Sequence, residues 1–360
     1  VNGELWDGEY EKAWCLTPLP DSRFAVFGCN DEEWTVNVNN EEWNSRFEFV
    51  WNLQCNGDGR YLAAAFQNDS RYGVVVNDQP WENGYQNMTG MVLSDTGDSA
   101  AVVQVDPMKA ADIEAFKEGL FSVARNGNRV LDRTFLNLWD IAFDKSGKNI
   151  ACGARLNREE YTIACNDSLW DKRFQSVWRP VFLESGGVLA PVRHGGKWRL
   201  FQDNEPLWKN GYEQLWQLRL SPGGDDIAAV VSTTFGKWTV AVNDKTWDFS
   251  CDAMICDLHY SRNGSCLVAV AKDKKVWDLV VDGKAWHLCA DKLFPPGISD
   301  DGSMVAAVVE KQGLFHLVVN NRAVASGYEY MTEPVFSPDN AKVLLKGIKK
   351  GVYQRRVLSL

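Results

Sequence analysis

The chain of 360 residues is short of most features that announce chemistry. It holds four histidines, His194, His259, His287 and His316, and no two share the helical or hairpin spacing of metal ligands. Positions on strand faces or in loops account for them more simply. No Gly-rich phosphate loop, nucleophile elbow or metalloprotease helix is present, so phosphoryl transfer, serine hydrolysis and zinc proteolysis gain no specific support. Asn56-Gly57-Asp58-Gly59 is loop-like but lacks the further spaced acids of a calcium loop. No apolar run approaches the roughly 20 residues of a membrane-spanning helix, and the first residues do not read as a signal peptide. No Pro/Gly/Ser-rich linker divides the chain. Base is scarce beside acid, 38 Lys and Arg against 48 Asp and Glu, and the net charge of −10 argues against general nucleic-acid binding. The nine cysteines are odd in number, and several sit inside apolar runs such as Ile163-Ala164-Cys165. That is the habit of free thiols in a cytosolic protein. Cys251 and Cys256 are the closest pair, and their spacing fits no common zinc or iron–sulfur pattern.

What is abundant is rhythm. A turn residue is followed four positions later by a bulky one at Asn2/Trp6, Asn39/Trp43, Asn77/Trp81, Asn126/Val130, Asn166/Trp170, Asn204/Trp208, Asn243/Trp247, Asp282/Trp286 and Asn320/Val324. The steps are 37, 38, 49, 40, 38, 39, 39 and 38 residues, so one repeat of about 40 residues governs the whole chain. Five positions before the turn residue stands an aromatic: Trp34, Tyr72, Phe121, Tyr161, Trp238, Trp277 or Phe315, with Trp198 one place further back. A short apolar run between aromatic and turn reads as a strand entering a tight hairpin, because Asn, Asp and Gly tolerate positive φ. A second spacing follows, as in Trp43-Phe47-Trp51 and Trp208-Tyr212-Trp216. These segments are too short and too punctuated for helices, and read as an outer strand, a connector and the first strand of the next unit. A small-residue turn then leads into an apolar strand, as from Gly59 into Leu62–Phe66.

Four short strands per repeat predict an all-β fold, a β-propeller of four-stranded blades forming a single domain over residues 1–360. The count gives nine blades. The alternative is eight, with residues 86–135 or 291–328 outside the ring. The last unit has everything except a fourth strand, which residues 1–10 would supply against 334–360. Residues 341–360 carry six bases and no acid, whereas residues 1–11 carry four acids and no base, a pairing that favours adjacent strands. The tryptophans, sixteen in number, then serve packing between blades.

The 49-residue step holds an insertion, residues 106–119, that reads as a short helix with Asp106 as cap, Pro107 in the first turn and Gly119 as terminator. Met108, Ile113 and Phe116 are candidate partner-docking residues, since insertions in repeat folds sit on exposed faces. The simpler alternative is a helix folded back on its own blade.

Ser337-Pro338-Asp339-Asn340, Ser299-Asp300-Asp301-Gly302 and Ser221-Pro222-Gly223-Gly224, each before an apolar strand, resemble the turn of WD40-like and TolB-like propellers. Quinoprotein dehydrogenases also have tryptophan-rich propellers, but their docking motif is not matched. Over all nine units the Asn-x-x-x-Trp repeat resembles the tryptophan-rich (TmcD-like) subunit of the transmembrane redox complexes of sulfate-reducing bacteria. That resemblance implies a cytoplasmic accessory subunit, peripheral at the inner face of the cytoplasmic membrane. It implies no cofactor and no catalytic residue of its own, and partners among an iron–sulfur protein, a membrane cytochrome b and a multihaem cytochrome. The expectation is a non-catalytic interaction scaffold. The alternative is a propeller enzyme or small-ligand binder that uses the central channel.

Overall fold

The structure, a computed structural model, describes residues 8–20, 22–105, 113, 117 and 119–360. The chain forms two compact units, Val1–His194 with Leu200–Glu205, and Gly195–Arg199 with Pro206–Leu360. Within them the described residues form nine antiparallel sheets in chain order, and no element but Ile113 and Lys117 is helical. Asn2 and Trp6 of the first repeat lie outside the described residues, as does most of the insertion.

The second sheet shows how sequence makes the unit. Its strands are Phe49–Cys55, Leu62–Asn68, Arg71–Val76 and Gln79–Pro80, each paired to the next. The second and third strands are apolar runs because both sheet faces are covered. Alternate residues serve opposite faces: in the third sheet Ala100 and Val102 join a core with Leu138 and Ile150 of the fourth, while Ala101 and Val103 join one with Ala63 and Val74 of the second. A sheet order that simply follows the chain is the blade of a β-propeller. The tryptophan-free units at residues 86–135 and 291–328 build sheets like the rest.

The first strands hold a feature that the sequence pattern did not reveal. In six sheets one residue of this strand is left-handed, namely Cys15, Asn52, Gly90, Asp140, Gln217 or Asp257, and the ladder register shifts there. These are β-bulges, which bend the strand and turn its second half over. The remaining three sheets break the strand at the same place, and Pro180, Pro295 with Pro296, and Pro334 stand in the gaps. Proline has no N–H to give to the ladder. The ninth sheet has no fourth strand among the described residues: its third strand, Val352–Ser359, pairs with Lys342–Lys349.

The turn residues do more than adopt positive φ. Both central residues are left-handed at Asn39-Asn40, Asn77-Asp78, Asn126-Gly127, Asp203-Asn204, Asn243-Asp244, Asp282-Gly283 and Asn320-Asn321. In every one of these turns, and at Asn166, the side-chain Oδ1 of the first residue accepts the N–H of the residue that opens the second strand, at 2.7 to 3.2 Å. Glycine would supply the backbone angle but not this bond, which explains the preference for Asn and Asp. The geometry also corrects one register. The equivalent residue in the fifth sheet is Asp203, not Asn204, and it lies five positions after Trp198 like its counterparts.

Candidate protein-interaction surface

Each sheet has two ends. At one, the third strand turns into the fourth through the Asn/Asp hairpin. At the other, the second strand hands over to the third, whose first residues include the repeated aromatics. That aromatic end is held by backbone bridges, Trp34 to Phe47, Tyr72 to Tyr85, Tyr161 to Phe174 and Trp198 to Tyr212 among them. The bridge leaves two or three carbonyls of the intervening bulge to satisfy. Buried hydroxyls do so: Thr35 donates towards Trp43 and Ser45, Thr162 towards Trp170 and Lys172, and Thr239 towards Trp247 and Phe249.

In the first unit this end carries a row of rings. Trp14 stacks on Phe49 at 6.1 Å with an interplanar angle of 15°, and Phe49 stacks on Trp51 at 5.9 Å and 21°. Trp34 meets Trp14 and Phe49 edge-on, and Tyr72 meets Trp51 in the same way. The row is open to solvent: Trp14 is 40% and Phe49 42% exposed. Glu11, Asp31, Glu32, Glu33, Glu48 and Asp69, all exposed, flank it in sequence and in the strand register. Taken alone, the second unit shows a smaller counterpart, Phe294 on Phe315 at 5.5 Å and Phe315 against the half-exposed Tyr330 at 5.7 Å. Phe235, at the tip of a hairpin between second and third strands, is 99% exposed.

The insertion enters at the aromatic end of the third sheet, between strands Ser99–Gln104 and Phe121–Arg125. Of the proposed docking residues, Ile113 is helical and 66% exposed, while Met108 and Phe116 lie outside the described residues. Lys117 is helical and exposed as well. The exposed Trp14–Phe49 row was not singled out from the sequence. Its signal is an aromatic two places before Trp51, where the first, fourth, sixth and seventh sheets carry Lys12, Asn137, Gln214 and Met254.

The residues considered for chemistry are placed apart. His194 packs edge-on against Phe174 and Phe201, His259 Nδ1 lies 2.9 Å from the Asp257 carbonyl, His287 occupies a left-handed turn position, and burial with a nearby Lys311 charge lowers the pKa of His316. Among the described residues no group of three or more His, Cys, Asp and Glu could hold a metal ion. All nine cysteines are free thiols. Burial pushes the thiols of Cys152 and Cys256 up to about 12, and those of Cys251 and Cys266 to about 11, far from the thiolate range of a nucleophile. Open clefts of about 360 and 460 Å³ lie over the turns, lined by Trp81 and Asn126 in one case and by Trp43, Asn77 and Asp78 in the other. Their Asn side chains are already engaged by the strand amides described above. Among the described residues no helix is long and apolar enough to cross a membrane.

No protein-family model matches the chain, and no curated protein does. Among solved structures, a eukaryotic initiation factor is similar with a TM-score of 0.57 and 13% identity, over 93% of this chain and 92% of its own. The Dos1 propeller matches at a TM-score of 0.40 and 9% identity, over 95% and 91%. TolB from Acinetobacter baumannii matches at 0.35 and 14%, over 76% and 79%. The first likeness concerns the fold alone, and the weaker two add nothing to it. The sheet order and the repeat define the class as a protein of β-propeller repeats.

Proposed function

We propose that this chain is a non-catalytic interaction scaffold and that the aromatic ends of its sheets receive partner proteins. The observation that carries this reading is the Trp14–Phe49–Trp51 row, large rings left open to water on a rigid sheet frame. Exposed aromatic clusters with a polar rim are the usual anchors of protein contacts. On the resemblance of the Asn-x-x-x-Trp repeat, the assembly served is a membrane-associated electron-transfer complex, with the chain at the cytoplasmic face. Isolation of the chain under native conditions tests this. Co-purification with haem and iron–sulfur subunits is the expected result. A lone protein that carries a stoichiometric small ligand or shows turnover would overturn it and favour the enzyme or ligand-binder alternative.

The nine sheets are, in this proposal, nine blades of one ring, with residues 1–10 as the missing fourth strand of the ninth. What supports the reading is the unpaired edge: among the described residues Val352–Ser359 pairs only with Lys342–Lys349, and such an edge is normally covered. Deleting residues 1–10 should therefore cause aggregation or a large fall in melting temperature. An unchanged melting temperature would remove ring closure from the proposal and leave the docking surface untouched.

A further inference from the structure

Two of the repeated aromatics hold a cation on the ring face. In the fourth sheet the guanidinium of Arg155 sits 5.5 Å over the Tyr161 ring, and in the seventh the ammonium of Lys272 sits 4.9 Å over the Trp277 ring. In both cases the cation comes from the second-strand residue paired directly with the aromatic of the third. The same pairing in the first and second sheets offers Cys29 to Trp34 and Gln67 to Tyr72. Neither residue carries charge. These two sheets are also where the rings stack into an exposed row and where the surrounding loops are acidic: Asp31, Glu32 and Glu33 follow Asn30, and Asp69 follows Asn68. The third, sixth and eighth sheets pair the aromatic with Gln104, Ser232 and Glu310, so the cation is a feature of two sheets. A ring face that can hold a cation in this way, set among carboxylates, is complementary to positive charge.

We infer that the Trp14–Trp34–Phe49–Trp51–Tyr72 row is a docking site for an arginine- or lysine-bearing extended segment of a partner protein, whose cations take the places that Arg155 and Lys272 fill internally in other sheets. The inference rests on the scaffold reading and deepens it by naming the chemistry of the partner. Neighbouring aromatics in the first and second sheets accommodate side chains of a single extended peptide. Asp31, Glu32, Glu33 and Asp69 steer it and set its salt dependence.

The test uses the full chain and two synthetic peptides, one alternating Arg with Gly and Ser, the other with each Arg replaced by citrulline, which keeps the shape and removes the charge. Binding is read by tryptophan fluorescence and calorimetry. The Arg peptide should bind and the citrulline peptide should bind at least tenfold more weakly at low salt, since the charge steers as well as stacks. Phe49→Ser should weaken the Arg peptide by about two- to fivefold. The triple variant Asp31→Asn, Glu32→Gln, Glu33→Gln should flatten its salt dependence. Gln67→Lys, which copies the Lys272 arrangement, should compete with the peptide and lower its affinity without altering the melting curve. Equal binding of the two peptides, or undiminished Arg-peptide binding by both Phe49→Ser and the triple acid variant, would overturn the inference. If native partners still co-purify with those variants at full yield, the scaffold reading survives and only this site falls.

Discussion

The two ends of each repeat spend their side chains differently. At the turn end almost every polar group has an internal partner. Asn77 takes the Leu62 N–H and donates to the Arg60 carbonyl, and the next residue, Asp78, accepts the N–H groups of Asn44 and Ser45 from the preceding repeat. Asp244 does the same for Lys209 and Asn210. One hairpin thus pins its own sheet and staples its neighbour. The aromatic end holds its backbone just as firmly, yet leaves Trp14 and Phe49 facing water. The difference separates residues that keep the fold from residues the fold could do without. Among the described residues the Asn-x-x-x-Trp signature belongs to the first group.

Phe47 and Phe49 put that contrast on one stretch of chain. Phe47 is 4% exposed and stacks on Phe66 at 4.4 Å, inside the core shared by the first two sheets. Phe47→Ala should cost about 3–5 kcal/mol, read from the urea midpoint, because it empties a ring-sized cavity. A smaller loss would show that the sheets can close over the gap, and would weaken the view of a rigid frame.

The turn comes next in size. Asn77→Val forces a β-branched residue into the left-handed region and strips the Leu62 amide of its acceptor, and should cost about 2–4 kcal/mol. Asn77→Gly keeps the backbone angle and loses only the bonds, and should cost about 1 kcal/mol. Equal losses in the two variants would mean that the side-chain bond carries the whole effect and the left-handed angle none.

Acid should attack the same end. Burial opposes the charge on Asp78, Asp98 and Asp144, but hydrogen bonds outweigh it and hold all three below the ordinary carboxylate range. The donors are the Asn44 and Ser45 amides, Asn126 with Arg125, and Asn149 respectively. A lowered folded pKa means stability that is complete above the unfolded value of about 3.9 and lost as pH falls through the folded one. The melting temperature should therefore hold from pH 7 to about 5 and drop progressively below about 4. Replacing Asp78 and Asp98 by Asn should blunt that drop. A variant that falls as steeply as the parent would move the acid sensitivity away from the turns.

Periodicity exposed the frame because repetition itself is a physical constraint. Each aromatic-to-turn spacing is the length of a third strand, and each apolar run is a strand covered on both faces, so four strands per repeat followed directly. The carbonyl-binding threonines and the left-handed bulges at Asn52, Asp140, Gln217 and Asp257 did not, since bulges tolerate many residues and leave no fixed letter. Asn204 and Asp203 both suit a turn, and only the bond from the Val188 N–H distinguishes Asp203. The candidate surface was less legible still. In sequence Trp14 and Phe49 look like further packing aromatics, and their exposure depends on which side of the strand each ring takes. The insertion changes the repeat length, whereas Phe49 adds a ring without changing the spacing.

The smallest predicted effect is the most discriminating. Phe49 touches Trp14, Trp34 and Trp51, so a list of contacts would rank it beside Phe47. Its 42% exposure sets it apart, because a good part of the Phe49 surface already meets water in the folded state, whereas Phe47 is 4% exposed. Phe49→Ala should shift stability by no more than about 0.5 kcal/mol, roughly a tenth of the Phe47 effect two residues away. Matched urea curves for the two variants measure this directly. A Phe49 loss above about 2 kcal/mol would show that the aromatic row is part of the frame, and the division between a structural end and a binding end would collapse. A neutral Phe49 would leave a large ring held at the surface with no structural return, which is the condition a docking site requires.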